Sequence, residues 1–167
     1  MNPLIPIAVT LFIFSDEDTD GLLPGDNSPT PTGRLTPTDF IKLYYSTAMI
    51  GQSSGVPAIF TLAQGILESN SGNSELAKNA NNFFGIKADS SWQGPTYKGY
   101  RKYDSPAASF ADHTAFLNND SRYATAFLQG NATDFAKQVA AAGYATDPDY
   151  ANKIIKAMTA VNSIVNS

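Results

Sequence analysis

The sequence predicts a mainly α, single-domain fold carrying one small β-hairpin, and three observations predict it. Apolar residues recur at helical spacing through most of the chain after residue 36. Only one stretch, Trp92 to Tyr103, alternates aromatic and polar residues around Gly94-Pro95 and Gly99, as a hairpin does. The length of 167 residues, with 43% hydrophobic and 16% charged, suits one core and not comfortably two.

Taken in order, residues 1–36 stand apart from a globular part spanning 37–167. Leu4 to Phe14 is apolar but interrupted by Pro6, and it is too short to span a membrane as a helix. Ser15 to Thr36 holds five acidic residues together with Pro24, Pro29, Pro31 and glycines, the composition of a solvated linker. Thr36-Pro37-Thr38-Asp39 then reads as a helix start. Phe40, Tyr44 and Ala48, with Ile41 and Met49 beside them, form its apolar stripe, and Gly51 to Gly55 end it. Pro57 opens a second helix that is apolar on most sides up to Leu67, so it is expected to be buried nearly all round. A short helix is expected over 73–78, then the hairpin, then a helix from Pro106 carrying Phe110, His113, Phe116 and Leu117. Tyr123 to Leu128 reads as a shorter helix, and Thr133 to Ala142 as one stopped by Gly143. The last helix starts near Pro148 and lines up Tyr150, Ile154, Met158, Val161 and Val165.

Composition removes several classes of function. The net charge is −4 with no basic cluster, which argues against a nucleic-acid partner. Cysteine is absent, so disulfides and thiolate metal sites are excluded, and His113 is the sole histidine. No metal and no cofactor are expected. Residues 3–14 are read in two ways: as a secretion signal with an atypical start, or as a strand-like piece that docks on a protein partner. Either reading suits a protein working outside the cytoplasm or on a virion.

Three glutamates are present, and Glu68 is the unusual one because it ends the most apolar helix. There the negative end of the helix dipole and the loss of water both favour its protonated form. A neutral carboxylic acid near pH 6 to 7 is what glycoside cleavage needs to protonate a leaving oxygen. The competing reading is a last-turn Glu that turns into solvent. The run Ser69 to Ser74 and the amides Asn79, Asn81 and Asn82 supply uncharged donors and acceptors suited to an N-acetylated sugar. Trp92, Tyr97, Tyr100 and Tyr103 offer flat faces for a pyranose ring, with core packing as the alternative.

Several blocks resemble the glucosaminidase domain of the flagellar muramidase and autolysin type. They are Leu62-Ala63-Gln64-Gly65-Ile66-Leu67-Glu68-Ser69, then Leu76-Ala77-Lys78 with Ala80-Asn81-Asn82-Phe83-Phe84-Gly85-Ile86-Lys87. Tyr100 to Ser105, Ser109 to His113, Gly143 to Pro148 and Tyr150-Ala151 complete them, in family order over residues 38 to 160. The resemblance implies a lysozyme-like fold and hydrolysis of β-1,4 bonds in peptidoglycan glycan strands. It implies Glu68 as the catalytic acid and Tyr144 as the active-site tyrosine that holds substrate or positions the acetamido group. It implies a cleft drawing on Ser69, Asn81, Asn82, Phe84, Trp92, Tyr97 and Thr146. His113 is read as structural.

The chain departs from the family at the hairpin. Only thirteen residues separate Lys87 from Arg101, and Asp89 is the only acid among them. Asp89 is therefore the one candidate for a second carboxylate, and it sits close to the motif. A substrate-assisted route, in which the 2-acetamido oxygen attacks, fits a single acid best. The alternatives are a glycan-binding or assembly component that cuts slowly or not at all, for example of a phage particle, and a lytic transglycosylase.

Overall fold

A computed structural model describes residues 33–167. The expectations for residues 3–14 and for most of the linker lie outside the described residues.

Among the described residues, six α-helices carry the fold: α1 Pro37–Gln52, α2 Ala58–Ser69, α3 Glu75–Ala80, α4 Pro106–Asn119, α5 Ala132–Ala141 and α6 Tyr150–Val165. Between α3 and α4 lies an antiparallel pair, β1 Thr96–Tyr97 and β2 Tyr100–Arg101. The start of α1 has a complete capping box: the Thr36 hydroxyl accepts from the Asp39 N–H, and the Asp39 carboxylate accepts from the Thr36 N–H. Of the apolar residues assigned to α1, Phe40, Ile41 and Ala48 are buried, but Met49 is 38% exposed. Nine residues on from Phe40 is two and a half turns, which puts Met49 on the opposite face.

Helix α2 is the axis of the domain. Every residue from Phe60 to Ser69 is buried, and α2 packs against α1, α5 and α6. Gly65 permits the close approach of α1: a Cβ there would lie 2.8 Å from Cζ of Phe40. Phe40, Tyr44, Phe83 and Phe110 form a ring cluster beside this contact, with centroids 4.8 to 6.5 Å apart.

The hairpin is shorter than the alternation predicts. Lys98 (φ 50°) and Gly99 (φ 82°) both take the left-handed conformation of a two-residue type I′ turn. The other edge of β2 pairs with the Phe-Gly-Ile-Lys block: the Arg101 N–H donates to the Ile86 carbonyl, and the Ala88 N–H to the Gly99 carbonyl, both at 3.0 Å. The segment expected as one helix over 123–128 is two 3₁₀ turns, Ser121–Tyr123 and Ala126–Leu128. Asp120 imposes the first by accepting the Arg122 N–H and pairing with its guanidinium, which tightens the chain before a full α-turn forms. Helix α5 ends before Gly143 (φ 81°), as its glycine stop predicts, and α6 begins at Tyr150, two residues beyond Pro148.

Candidate active site

Glu68 occupies the last turn of α2, and the backbone just beyond it is unusual. Asn70 (φ 52°), Ser71 (φ 53°) and Gly72 (φ 80°) are all left-handed, two of them without the freedom of glycine. Such a run costs free energy and persists only where surrounding bonds hold it. They are present. The Ser69 hydroxyl donates to the Gly65 carbonyl and accepts the Gly72 N–H at 2.7 Å. Asn73 clamps Leu35 through both halves of its amide, at 2.8 and 3.0 Å, and also donates to the Asn70 carbonyl at 2.7 Å. The chain therefore leaves α2 sharply, directly behind Glu68.

Glu68 is 6% exposed. Its Oε1 accepts the Tyr150 hydroxyl of α6 at 3.0 Å, while Oε2 is buried with no hydrogen-bond partner. Burial pushes Glu68 up to about 8, and the Tyr150 hydrogen bond opposes part of that rise. At neutral pH this burial favours the carboxylic acid form. The solvent-facing alternative does not hold.

Behind Tyr150 the contacts continue into the core. Gln64, one turn before Glu68 on α2, donates from Nε2 to the Tyr150 hydroxyl oxygen at 2.8 Å. Its Oε1 lies 2.7 Å from Nε2 of His113 on α4. His113 is fully buried and stacked on Phe84, with centroids 3.9 Å apart, and burial lowers it to about 3. Burial thus favours its neutral form. Sequence reasoning assigns no role at the site to Gln64 or Tyr150. A Gln in the middle of an apolar helix is the signal that points to the pair, because it has to be buried and therefore partnered.

Most other residues expected at the site prove to be its scaffold. Asn82 is 1% exposed and makes four backbone contacts: its amide donates to the carbonyls of Ile86 and Arg101, and its oxygen accepts from the N–H groups of Phe84 and Ile86. It ties the Phe-Phe-Gly-Ile-Lys block to β2 and has no capacity left for a sugar. Asn81 (φ 49°) is the left-handed cap of α3 and donates to the Tyr103 carbonyl. Ser69 and Phe84 are fully covered. Tyr144 is 1% exposed, its ring stacks parallel to that of Tyr150, and its hydroxyl donates to the Phe84 carbonyl at 3.2 Å. The tyrosine that hydrogen-bonds Glu68 is therefore Tyr150, not Tyr144. In each case the backbone of a tight, buried loop claims the polar atoms.

The hairpin aromatics are also engaged. The Tyr97 hydroxyl donates to Glu75, which also binds Lys98. Trp92 donates its indole N–H to the Pro95 carbonyl, meets Tyr103 edge-on and lies under the Arg101 guanidinium, 5.0 Å from the ring centre. Arg101 in turn forks onto Asp112, which also accepts the Tyr103 hydroxyl. Trp92 and Tyr97 keep partly exposed faces, and Thr146 is exposed. Asp89 is exposed and accepts both the N–H and hydroxyl of Ser91, with Arg101 at 3.6 Å, so its carboxyl is held below the usual range, the Ser91 hydroxyl being the main cause. It is an ionised group facing Arg101. Among the described residues no cluster of His, Asp or Glu is placed to hold a metal ion.

Residues 46–163 match the glucosaminidase family, described as mannosyl-glycoprotein endo-beta-N-acetylglucosaminidase. The chain belongs to the glucosaminidase family. It is 34% identical over 161 residues to the peptidoglycan hydrolase FlgJ of Vibrio parahaemolyticus, covering 82% of this chain and 51% of that protein. It is 39% identical over 118 residues to the exo-glucosaminidase LytG of Bacillus subtilis, covering 59% of this chain and 42% of that one. The chain thus spans about half the length of the curated relatives it matches. In structure it is similar to the glycoside hydrolase domain of Salmonella typhimurium FlgJ, with a TM-score of 0.66 and 32% identity over 79% of this chain and 92% of that one. The fold is accordingly the lysozyme-like one of this family.

Proposed function

We propose that this glucosaminidase hydrolyses β-1,4 glycosidic bonds of peptidoglycan glycan strands, outside the cytoplasm, with Glu68 as general acid. The observation that carries the reading is the buried, protonated carboxyl at the end of α2, one oxygen held by Tyr150 and the other unpartnered. Protonation of the glycosidic oxygen by Glu68 lets the leaving sugar depart neutral. Among the described residues the hydrogen bond to the Glu68 carboxyl comes from Tyr150 alone, and no other carboxylate touches it. We therefore take the route as substrate-assisted: the 2-acetamido oxygen attacks the anomeric carbon as the glycosidic bond breaks. The Glu68 carboxylate then accepts a proton from the water that opens the cyclic intermediate. A single acid in a water-poor site serves both half-reactions.

The test is product analysis of digested peptidoglycan by mass spectrometry after reduction of the new ends. N-acetylglucosamine at the reduced ends is the expected result. Reduced N-acetylmuramic acid would make the enzyme a muramidase, 1,6-anhydro ends a lytic transglycosylase, and the absence of new ends a glycan binder.

A further inference from the structure

At the end of α2 away from Glu68 lies an open cavity of about 230 Å³, walled by the last turn of α1, the start of α2, the second 3₁₀ turn and the start of α5. Pro57 at its edge and Glu68 are separated by roughly 16 Å of helix, so the cavity stands apart from the acid. No charged side chain lines it. Its apolar wall is Phe127, half-buried and fixed edge-on against Phe135, which meets Phe60 in the same way, with centroids 5.3 and 5.0 Å apart. Gly55 is left-handed (φ 88°), and a Cβ there would stand 3.1 Å from Cδ1 of Phe127, so the glycine leaves that ring edge uncovered. Two amides supply the polarity, and backbone partners fix which way round each one stands. Gln52 Oε1 accepts the Ala58 N–H at 3.3 Å, which leaves its NH2 to donate. Gln129 Nε2 donates to the Thr125 carbonyl at 2.8 Å, which leaves its Oε1 to accept. Asn131 is spent on capping α5: its oxygen accepts the Asp134 N–H and its NH2 donates to the Asp134 carboxylate.

We propose that this cavity is a second glycan-binding site, apart from the catalytic one, that takes a single N-acetylated sugar. One free donor and one free acceptor beside an aromatic ring match an acetamido group: Gln52 donates to its carbonyl, Gln129 accepts its N–H, and the Phe127 ring meets its methyl group. The size agrees, since it falls below the roughly 300–1,000 Å³ of pockets that enclose drug-sized ligands. A charged ligand would lose water there without gaining a counter-charge. An extended peptide needs a row of backbone partners rather than one pair. The proposal rests on the substrate being a peptidoglycan glycan strand, whose sugars carry acetamido groups, and it adds a place where the enzyme holds the wall while Glu68 cuts. A site for one sugar binds at about millimolar strength. A wall offers further sugars at about millimolar effective concentration, so the gain in wall binding is a few-fold.

The test titrates the nitrogen-labelled full chain carrying Glu68→Gln, so that no hydrolysis intervenes, with N-acetylchitotetraose and reads amide NMR signals. The expected result is saturable shifts of the Gln52 and Gln129 side-chain amides and of the Gly130 N–H. Cellotetraose, with hydroxyls in place of the acetamido groups, should leave them in place. No shift at these three groups, or equal shifts with cellotetraose, overturns the proposal. Equal shifts with N-acetylalanine N-methylamide would assign the cavity to peptide and overturn it too. Gly130→Tyr fills the cavity at small cost to the fold: Gly130 is not left-handed, and a Cβ there meets nothing within 4 Å. It should abolish the shifts of both glutamines. With Glu68 intact, it should raise the wall concentration for half-maximal lysis by about three- to tenfold, with kcat within about twofold. A half-maximal concentration that does not move refutes the site's part in holding the wall. Should Gly130→Tyr fail to fold, Gln129→Met removes the acceptor, and the same readouts decide. Digests by the intact enzyme that contain no new glycan ends would remove the catalytic reading instead, a separate failure because the amide shifts are read without catalysis.

Discussion

Replacing Glu68 by Gln should separate the chemistry of the site from its cost to the fold. An unfolded glutamate ionises near 4.5, whereas burial holds Glu68 protonated to about 8. The native state therefore binds a proton that the unfolded state releases. Stability from this group is complete below pH 4.5, declines as pH rises, and levels off above about 8. At pH 7 the gap of two and a half pH units corresponds to about 3 kcal/mol, an upper bound because local relaxation reduces it. Glutamine has no such proton to lose. Its carbonyl can still accept from Tyr150, but its NH2 places two donors where Oε2 has no partner, at a cost of about 1–3 kcal/mol. The two effects oppose each other. The variant should be less stable than the wild type at pH 4.5 and equal or more stable at pH 8. Urea unfolding at four or five pH values would measure the crossing. Lysis of purified walls should fall at least a hundredfold, as loss of a general acid does. A stability difference that is flat from pH 4.5 to 8 would refute the buried-acid argument. Activity above about a tenth of wild type would refute the catalytic one.

Three further substitutions sort scaffold from chemistry. Tyr144→Phe should lower stability by about 1 kcal/mol through loss of the bond to the Phe84 carbonyl, while kcat changes less than about threefold; a large drop in kcat at unchanged stability would return that hydroxyl to the substrate. Asp89→Asn should leave wall lysis within about twofold of wild type, since its partners are Ser91 and Arg101; a loss matching that of Glu68→Gln would make it the second carboxylate. Asn82→Ala should cost about 3 kcal/mol or more in urea unfolding, because buried backbone groups on both sides lose their partner, and residual activity should track the folded fraction.

How much of this is legible in the chain depends on how far apart the partners lie. The helices are, because each is written locally: the Thr36–Asp39 box, the all-round apolar run before Glu68, the Gly143 stop. Glu68 is legible as a candidate because it ends that apolar helix, but only the packing of α6 excludes the solvent-facing alternative. The polar residues after it are not. An asparagine offers the same donors and acceptors to a sugar as to a backbone turn, and only the three left-handed residues and the edge of β2 show that Asn82 and Ser69 serve the turn. The choice between Tyr144 and Tyr150 is beyond sequence as well: six residues apart, they stack on each other, and only the direction of α6 decides which hydroxyl meets the acid. Gln64 shows how much a stricter reading can recover. A buried amide needs partners, α2 offers none of its own, and the side chains that answer stand 49 and 86 residues away on α4 and α6. The need for partners can thus be read from one helix, whereas their identity requires the packing of three. The same packing makes the acid: α6 both covers Glu68, which raises its pKa, and supplies the hydroxyl that limits the rise.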